Sequence, residues 1–232
     1  LVPTPRAKAM VVPARAMAHA SGALLRAASA EADQIAGTVR ISVSEVVGIE
    51  ILPRLLHRLQ ERHPGLTSEV ELSNATADLI EQQVDIAIRM HRPEQKALIA
   101  KKVRSTLLGL YAHRDYLAVY GTPSSRNDIE GHRFIGPDRN RADQRVAQAI
   151  AAGRHLIWSM RTDSHPAQIA AARAALGIAV VPQGIAAREP QLVRVLSDID
   201  LPELETWIVT HENLRHVPRV AAVFDHLVGE LL

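Results

Sequence analysis

GTVRISVSEVVGIEILPRLLHRLQERHPGLTSEVEL, residues 37–72, is the stretch of sequence that decides the fold. Apolar and polar side chains alternate over residues 39–43, a period that is typical of a half-buried strand. A helix is predicted from Pro53, because proline suits the first turn of a helix and leucines then recur on one side. Alternation returns where Val70 and Leu72 are separated by glutamates. The stretch therefore predicts a strand, a helix and a second strand in succession.

The rest of the chain continues this succession. A short helix at residues 78–82 and a strand at residues 85–89 follow, and strand–helix–strand units at this spacing form right-handed crossovers in mainly parallel sheets. Further strands are predicted at 107–113, 134–135, 155–162, 178–181, 192–196 and 206–210, with helices at 114–119, 143–151, 166–175, after Pro182 and after Pro218. The pattern predicts an α/β fold of two doubly wound lobes.

The segment before residue 37 differs in composition. Residues 5–35 are rich in alanine and other helix formers, and as a helix they would carry one apolar stripe made of Met10, Ala14, Met17, Leu24 and Leu25. Gly37 is the expected stop of that helix. Two interpretations remain open: a surface helix of a compact domain, or a long linker helix whose stripe a partner chain covers.

Composition and motifs argue against several classes of function. The net charge is +2 and cysteine is absent, so neither a polyanionic partner nor a thiolate metal site is indicated. The sequence contains no apolar run that could span a membrane and no secretory signal. It also lacks the G-x-S-x-G, P-loop, H-E-x-x-H and G-x-G-x-x-G motifs, and its histidines show no metal-ligand spacing. We therefore predict no enzyme, no cofactor and no metal.

One cluster, Asp163-Ser164-His165, contains the residue types of a hydrolase triad. Three adjacent residues cannot readily adopt the geometry of a triad, whose members converge from separate segments. We interpret Asp163 or Ser164 as the N-cap of the next helix, with Pro166 in its first turn.

Short polar side chains follow four of the predicted strands. In open α/β sheets, ligands bind beyond the carboxyl ends of the strands, where helix N-termini present unpaired N–H groups. Any single residue of these loops is better explained as part of a helix cap. Taken together they predict a cleft between the lobes that suits a small polar ligand. The loops are Ser44-Glu45-Val46 and Ser73-Asn74 in one lobe, and Gly136-Pro137 and Thr162-Asp163-Ser164 in the other.

Several stretches resemble, in order and spacing, the effector-binding domain of LysR-type transcription regulators. The resemblance covers the chain from about residue 37 to its end. The residues before it resemble the end of the family's winged helix-turn-helix and its linker helix. The matching stretches are GTVRIS (37–42), ILPRLL (51–56), RHPGL (62–66), DIAIR (85–89) and ALGIAVVP (175–182).

The resemblance implies a fold and a division of the chain. The fold is type 2 periplasmic-binding-protein-like, with two Rossmann-like lobes joined by two crossover strands and preceded by the linker helix. Residues 1–36 would form the end of the wing and the linker helix, residues 37–105 with 205–232 the first lobe, and residues 106–204 the second. The resemblance adds Arg89 to the effector-binding residues.

The resemblance also implies a function. Members of the family sense a small metabolite in the cleft, assemble as dimers or tetramers, and bind DNA through the helix-turn-helix, which is missing from this sequence. The chain is thus expected to be the cytoplasmic sensing and oligomerisation part of a regulator. Glu45 would repel a carboxylate, which leaves open a neutral or cationic effector or a Glu45 paired with an arginine. The alternative is a solute-binding protein of a transporter, which shares the architecture.

Overall fold

The computed structural model describes residues 35–74, 84–93 and 98–232, together with positions 4, 6, 7, 10, 11, 13, 14, 17 and 21. The described positions from 6 to 21 are helical. The remainder of the expected linker helix, and the helix predicted at 78–82, lie outside the described residues. The chain divides into two compact units: Leu1–Arg104 with Glu205–Leu232 (unit 1) and Ser105–Leu204 (unit 2).

Unit 1 is built on a five-stranded sheet. Its strands are β1 (Gly37–Val43), β2 (Leu66–Leu72), β3 (Ile86–Arg89), β4 (Leu98–Thr106) and β10 (Leu204–His211), in the order β2-β1-β3-β10-β4. β1 is parallel to β2 and β3, whereas β10 is antiparallel to β3. Apart from the helical positions between 6 and 21, the described α-helices of this unit are α1 (Glu45–Glu50), α2 (Leu52–Arg62) and α7 (Pro218–Leu231).

The core of unit 1 forms where β1 meets two helices. Val39, Ile41 and Val43 of β1 are fully buried, and a large aliphatic side chain contributes about 1.5–3 kcal/mol when it is removed from water. The predicted strand–helix–strand order around β1 is confirmed. The helical side of the core includes Leu52, Leu55 and Leu59 from α2 and Val220, Val223, Phe224, Leu227 and Leu231 from α7.

The periodicity of the sequence does not predict an α-helix and a strand of unit 1 that the structure contains. The helix predicted from Pro53 begins at Leu52, and the separate helix α1 precedes it, interrupted at Ile51 where φ is −122° and ψ −53°. β4 is the second missed element. It has one buried side chain, Val103, so the alternation that predicts a half-buried strand is absent.

The second strand predicted around Val70 and Leu72 is confirmed as β2, but the side chains of these two residues are not buried. These side chains pair in register with Ile41 and Val43, yet they are 42% and 45% exposed. The reason is position, because β2 is the end strand of the sheet and its side chains lie at the margin of the core.

Unit 2 contains the remaining strands. They are β5 (Leu108–His113), β6 (Arg133–Gly136), β7 (Ile157–Arg161), β8 (Ala179–Pro182) and β9 (Leu192–Val195). β5 lies between β8 and β9 and is antiparallel to both, and β6 is parallel to β7. The helices of this unit are α3 (Arg114–Tyr120), α4 (Arg141–Ala151), α5 (His165–Arg173) and α6 (Gln183–Ala186), with a 3₁₀ helix at Arg126–Gly131.

A close backbone approach joins the two sheets of unit 2. Phe134 and Ile178 form an isolated parallel bridge, and the N–H of Ile178 donates to the carbonyl of Arg133 at 2.9 Å. Gly177 allows this approach, since a Cβ at that position would lie 2.6 Å from the same carbonyl oxygen. Phe134 and Ile178 pack in one core with Tyr116 and Ile129.

The chain passes between the units at two points. It leaves unit 1 within β4, between Arg104 and Ser105, and returns at the start of β10, between Leu204 and Glu205. β4 and β10 are neighbours in the sheet of unit 1.

Candidate functional site

Ser44 follows β1 at the carboxyl edge of the sheet in unit 1. Its backbone N–H donates to the carbonyl of Ile88 at 3.2 Å, which ties it to the end of β3. Ser44 is 7% exposed, and its hydroxyl has no hydrogen-bond partner among the described residues. Ser44 occupies the N-cap position of α1, but its side chain makes no cap bond. The hydroxyl is therefore buried at the strand end without a role in capping.

The loop after β2 lies beside Ser44. The side-chain carbonyl of Asn74 accepts the backbone N–H of Glu45 at 3.2 Å, and the N–H of Ser73 donates to the carbonyl of Val43 at 2.9 Å. The structure thus brings the predicted residues Ser44, Glu45, Ser73 and Asn74 together, with Val46 half-buried in the first turn of α1.

Arg89 ends β3, next to β1 in the sheet, and is 2% exposed. Its guanidinium donates to the hydroxyl of Ser42 at 2.8 Å and to the carbonyl of Ile88 at 3.3 Å. Ser42 is itself fully buried. The sequence pattern did not indicate Ser42, because alternation assigned it to the polar face of a strand. No residue near Ser42 in the chain shows that the guanidinium of Arg89 lies against it.

Asp163 organises a loop in unit 2. Its carboxylate accepts the backbone N–H groups of Asp138 and Arg139 at 2.9 Å and of Asn140 at 3.0 Å. These bonds, that from Asn140 foremost, hold the pKa of Asp163 below its ordinary value of 3.8. The N–H of Thr162 donates to the carbonyl of Gly136 at 2.8 Å. The loops after β6 and β7 are therefore adjacent, as their strand order requires.

The prediction that Asp163 or Ser164 is the N-cap of the next helix is confirmed, since Ser164 occupies the N-cap position of α5. The side chain of Ser164 makes no cap bond, however, and the carboxylate of Asp163 accepts hydrogen bonds from the loop after β6. Pro166 does lie in the first turn, as predicted. His165 instead bonds Asp143 of α4 at 2.8 Å, between its Nε2 and a carboxylate oxygen, a contact that the sequence did not indicate.

The described part of the chain contains neither a candidate metal site nor a membrane-spanning helix. Within residues 35–74, 84–93 and 98–232, no three acidic or histidine side chains are grouped so that they could hold a metal ion. No helix in the described part of the chain is both long and apolar enough to cross a membrane.

A family model described as the LysR substrate binding domain matches residues 32–232. An uncharacterised HTH-type transcriptional regulator from Haemophilus influenzae is 28% identical over 188 residues, which are 78% of this chain and 65% of that protein. The HTH-type transcriptional regulator CrgA from Neisseria meningitidis serogroup C is 29% identical over 115 residues, 47% of this chain and 38% of CrgA. The chain thus spans less than two thirds of the length of these relatives.

The fold is also found among solved structures. The regulatory domain of CrgA from Neisseria meningitidis, a LysR-type transcriptional regulator, superposes with a TM-score of 0.76 at 22% identity. The superposition covers 85% of this chain and all of that domain. The predicted α/β fold of the type 2 periplasmic-binding-protein-like class is therefore confirmed.

Proposed function

Because this chain belongs to the LysR substrate-binding domain family, we propose that it is the part of a transcription regulator that senses a small metabolite and relays its presence to a DNA-binding segment. The family does not favour the alternative of a transporter's solute-binding protein. The effector is bound and not transformed, and the regulator acts in the cytoplasm, where its DNA lies.

The buried hydroxyl of Ser44 carries the proposal of where the effector binds. A buried hydroxyl without a hydrogen bond costs about 1–3 kcal/mol relative to one that is satisfied. An effector that offers a donor or acceptor to the hydroxyl of Ser44 removes this energetic cost. Effector binding therefore supplies the hydrogen bond that the hydroxyl lacks. In unit 1 we propose Ser44, Glu45, Val46, Ser73, Asn74 and Arg89 as effector-binding residues.

In unit 2 we propose the loops at Gly136-Pro137 and Asp163-Ser164 as the second group of effector-binding residues. Asp163 acts there mainly by positioning, because its carboxylate already accepts three backbone N–H groups. We propose that Ser164 and the backbone around Pro137 meet the ligand. The effector binds one conformation of the regulator more tightly than another, and its binding shifts the population towards the conformation of higher affinity.

We also propose that the chain forms a homodimer, or a tetramer built from such dimers. Unit 1 exposes apolar side chains on and beside its end strand β2, namely Ile49 at 48%, Val70 at 42% and Leu72 at 45%. An exposed apolar edge of a sheet favours pairing with another chain. DNA binding is proposed only for a helix-turn-helix of the kind named in the relatives.

A thermal-shift screen of metabolites tests the sensing function. A ligand found in this way should raise the unfolding temperature of the wild-type chain and be recovered unchanged. Its effect should be weaker in Asn74→Ala and Ser164→Ala, and unaltered in the control Ser197→Ala, an exposed serine of unit 2. Equal shifts in all four proteins would remove these residues from the site.

Light scattering at micromolar concentration tests the assembly. The purified chain is expected to be at least a dimer, and Val70→Lys should lower its mass towards that of a monomer while the circular dichroism spectrum is retained. A wild-type chain that is monomeric under these conditions would contradict the assembly but leave the sensing proposal standing.

A further inference from the structure

The chain passes between the units on two neighbouring strands, and an acidic side chain lies where it returns. Glu205 is the first residue of unit 1 after unit 2, and Lys102 comes two residues before Arg104, at which the chain leaves unit 1. The strands that carry these residues, β4 and β10, are adjacent in the sheet. Side-chain contacts between β4 and β10 at this point therefore act directly on the two crossing segments.

Both carboxylate oxygens of Glu205 accept hydrogen bonds. Oε1 accepts one from Nζ of Lys102 at 2.6 Å, and Oε2 accepts one from the indole N–H of Trp207 at 3.0 Å. These bonds, that from Lys102 foremost, lower the pKa of Glu205 below its ordinary value of 4.5. At neutral pH the group is therefore an anion, and a charge-assisted bond joins it to β4.

A third segment of the chain takes part in this contact. The guanidinium of Arg92, three residues after the end of β3, lies 5.7 Å from the centre of the Trp207 ring, within the range of a cation–π attraction. Its charge also favours the anionic form of Glu205. Trp207 packs against the small apolar cluster that Leu98 of β4 also contacts. We call Arg92, Lys102, Glu205 and Trp207 the Glu205 cluster. It joins β4, β10 and the segment after β3.

β4 is otherwise held weakly. It is an end strand of its sheet, and Val103 is its one buried side chain. The side chains of Lys102 and Glu205 are 44% and 43% exposed, and an exposed ion pair adds little to the stability of a whole domain. A segment with few buried apolar contacts, however, opens locally without global unfolding. A contact of modest strength can therefore govern the local opening of β4.

We propose that the Glu205 cluster holds β4 and β10 together at the crossing and so limits how far these two strands can deform. Its role in sensing rests on the proposed function. If an effector shifts the population of conformations, any change that involves both units passes through the crossing strands. The cluster then sets part of the resistance to that change. Because the ion pair is exposed, this resistance decreases as the ionic strength rises.

Hydrogen–deuterium exchange of the full chain, measured without effector, tests the cluster. Lys102→Met removes the ion pair and keeps an unbranched side chain. The slowly exchanging backbone amides of β4 and β10 should then exchange about two- to fivefold faster, the change expected on loss of an exposed ion pair. Lys101→Met is the matched control, because Lys101 is exposed in the same strand but its side chain lies on the other face.

A double-mutant cycle shows whether Lys102 and Glu205 act together. Glu205→Gln removes the charge but keeps an oxygen that can accept the indole N–H of Trp207. Each single variant should speed exchange, and the double variant should exchange no faster than the faster single variant. Sodium chloride at about 1 M should speed exchange in the wild type, because it screens exposed charges, and should change exchange in Lys102→Met little.

Three results would overturn the proposal. The first is equal exchange in Lys102→Met and Lys101→Met, and the second is a double variant in which the two single effects multiply. The third is a change of mass in Lys102→Met, measured by light scattering, because Lys102 would then contact another copy of the chain. These measurements use no effector, so they are independent of the screen that tests the sensing function.

A ligand from that screen tests the role of the cluster in sensing. It should bind Lys102→Met more tightly than the wild type, because less free energy is spent on deforming the crossing strands. Its affinity for Lys101→Met should equal that for the wild type. Equal affinity for all three proteins would overturn the role in sensing.

Discussion

The carboxylate of Asp163 accepts a 3.0 Å hydrogen bond from the backbone N–H of Asn140, 23 residues earlier in the chain. Arg139 and Asp138 donate to the same carboxylate. This side chain therefore fixes the path of the loop after β6, and with it the backbone of Gly136 and Pro137. The sequence suggested Asp163 as a direct contact of the ligand, whereas its carboxylate is occupied by the backbone N–H groups of this loop.

Asp163→Asn should lower the unfolding temperature, because an amide is a weaker acceptor and its NH₂ group opposes a backbone N–H. The bonds hold the pKa of Asp163 below 3.8 in the folded state, so the stabilisation is complete above that value and is lost as the pH falls through the lower folded pKa. The difference between the variant and the wild type should therefore shrink in acid. Thermal unfolding at neutral pH and below about pH 3.8 measures it. A difference that is constant with pH would exclude the charge as the cause.

Ser44→Ala should have opposite effects on stability and on sensing. Without ligand, removing a buried hydroxyl that lacks a partner should leave the free energy of unfolding unchanged or raise it by about 1 kcal/mol. The thermal shift caused by an effector should decrease in the same variant. Urea unfolding and ligand-induced shifts measure the two effects. A clear loss of stability in Ser44→Ala without ligand would mean that the hydroxyl is satisfied within the fold.

Gly177→Ala and Gly229→Ala should change stability in opposite directions. A Cβ at Gly177 would meet the backbone of Arg133 at 2.6 Å, and backbone cannot move aside easily, so we expect a loss of about 1–3 kcal/mol. Gly229 lies within α7, and a Cβ there has no atom within 4 Å. Its replacement should stabilise the helix by about 0.5–1 kcal/mol. Urea unfolding of both variants tests the pair, and equal effects would contradict it.

His132→Gln should reduce the dependence of stability on pH. His132 is buried, its Nδ1 lies 3.3 Å from the hydroxyl of Tyr116, and burial lowers the pKa of its imidazole below 6.5 despite the opposing charge of Asp128. The folded state therefore favours the neutral ring. This contribution is complete above pH 6.5 and is lost as the pH falls through the folded pKa.

The measurement is the free energy of unfolding in urea from about pH 7.5 to about pH 5.5. Wild type should lose more stability than His132→Gln over this interval, because a glutamine amide takes up no proton. His57→Gln is the control, since His57 is exposed on α2. If the free energy of unfolding fell equally with pH in wild type and His132→Gln, the imidazole of His132 would titrate in the folded state as it does in the unfolded chain.

Much of the architecture of this protein is determined by local sequence. The alternation over β1, the leucines of α2 and the prolines in the first turns of α2, α5 and α7 predicted elements that the structure contains. Such signals can be recognised without knowledge of the tertiary structure, because hydrophobic periodicity and the restricted backbone of proline act over a few residues. The strand ends at Ser44 and Asn74 could be located for the same reason.

Only the tertiary structure decided what these residues do. Arg89 meets Ser42 from 47 residues away, Asp163 turns towards Asn140 and not towards its own helix, and β4 exists because β10 pairs with it and not because its sequence alternates. Val70 has the same apolar character as the residues of β1, yet it is exposed because its strand ends the sheet. The physical reason is that hydrogen bonding and burial depend on which distant segment lies alongside, and short-range periodicity carries no information about that neighbour.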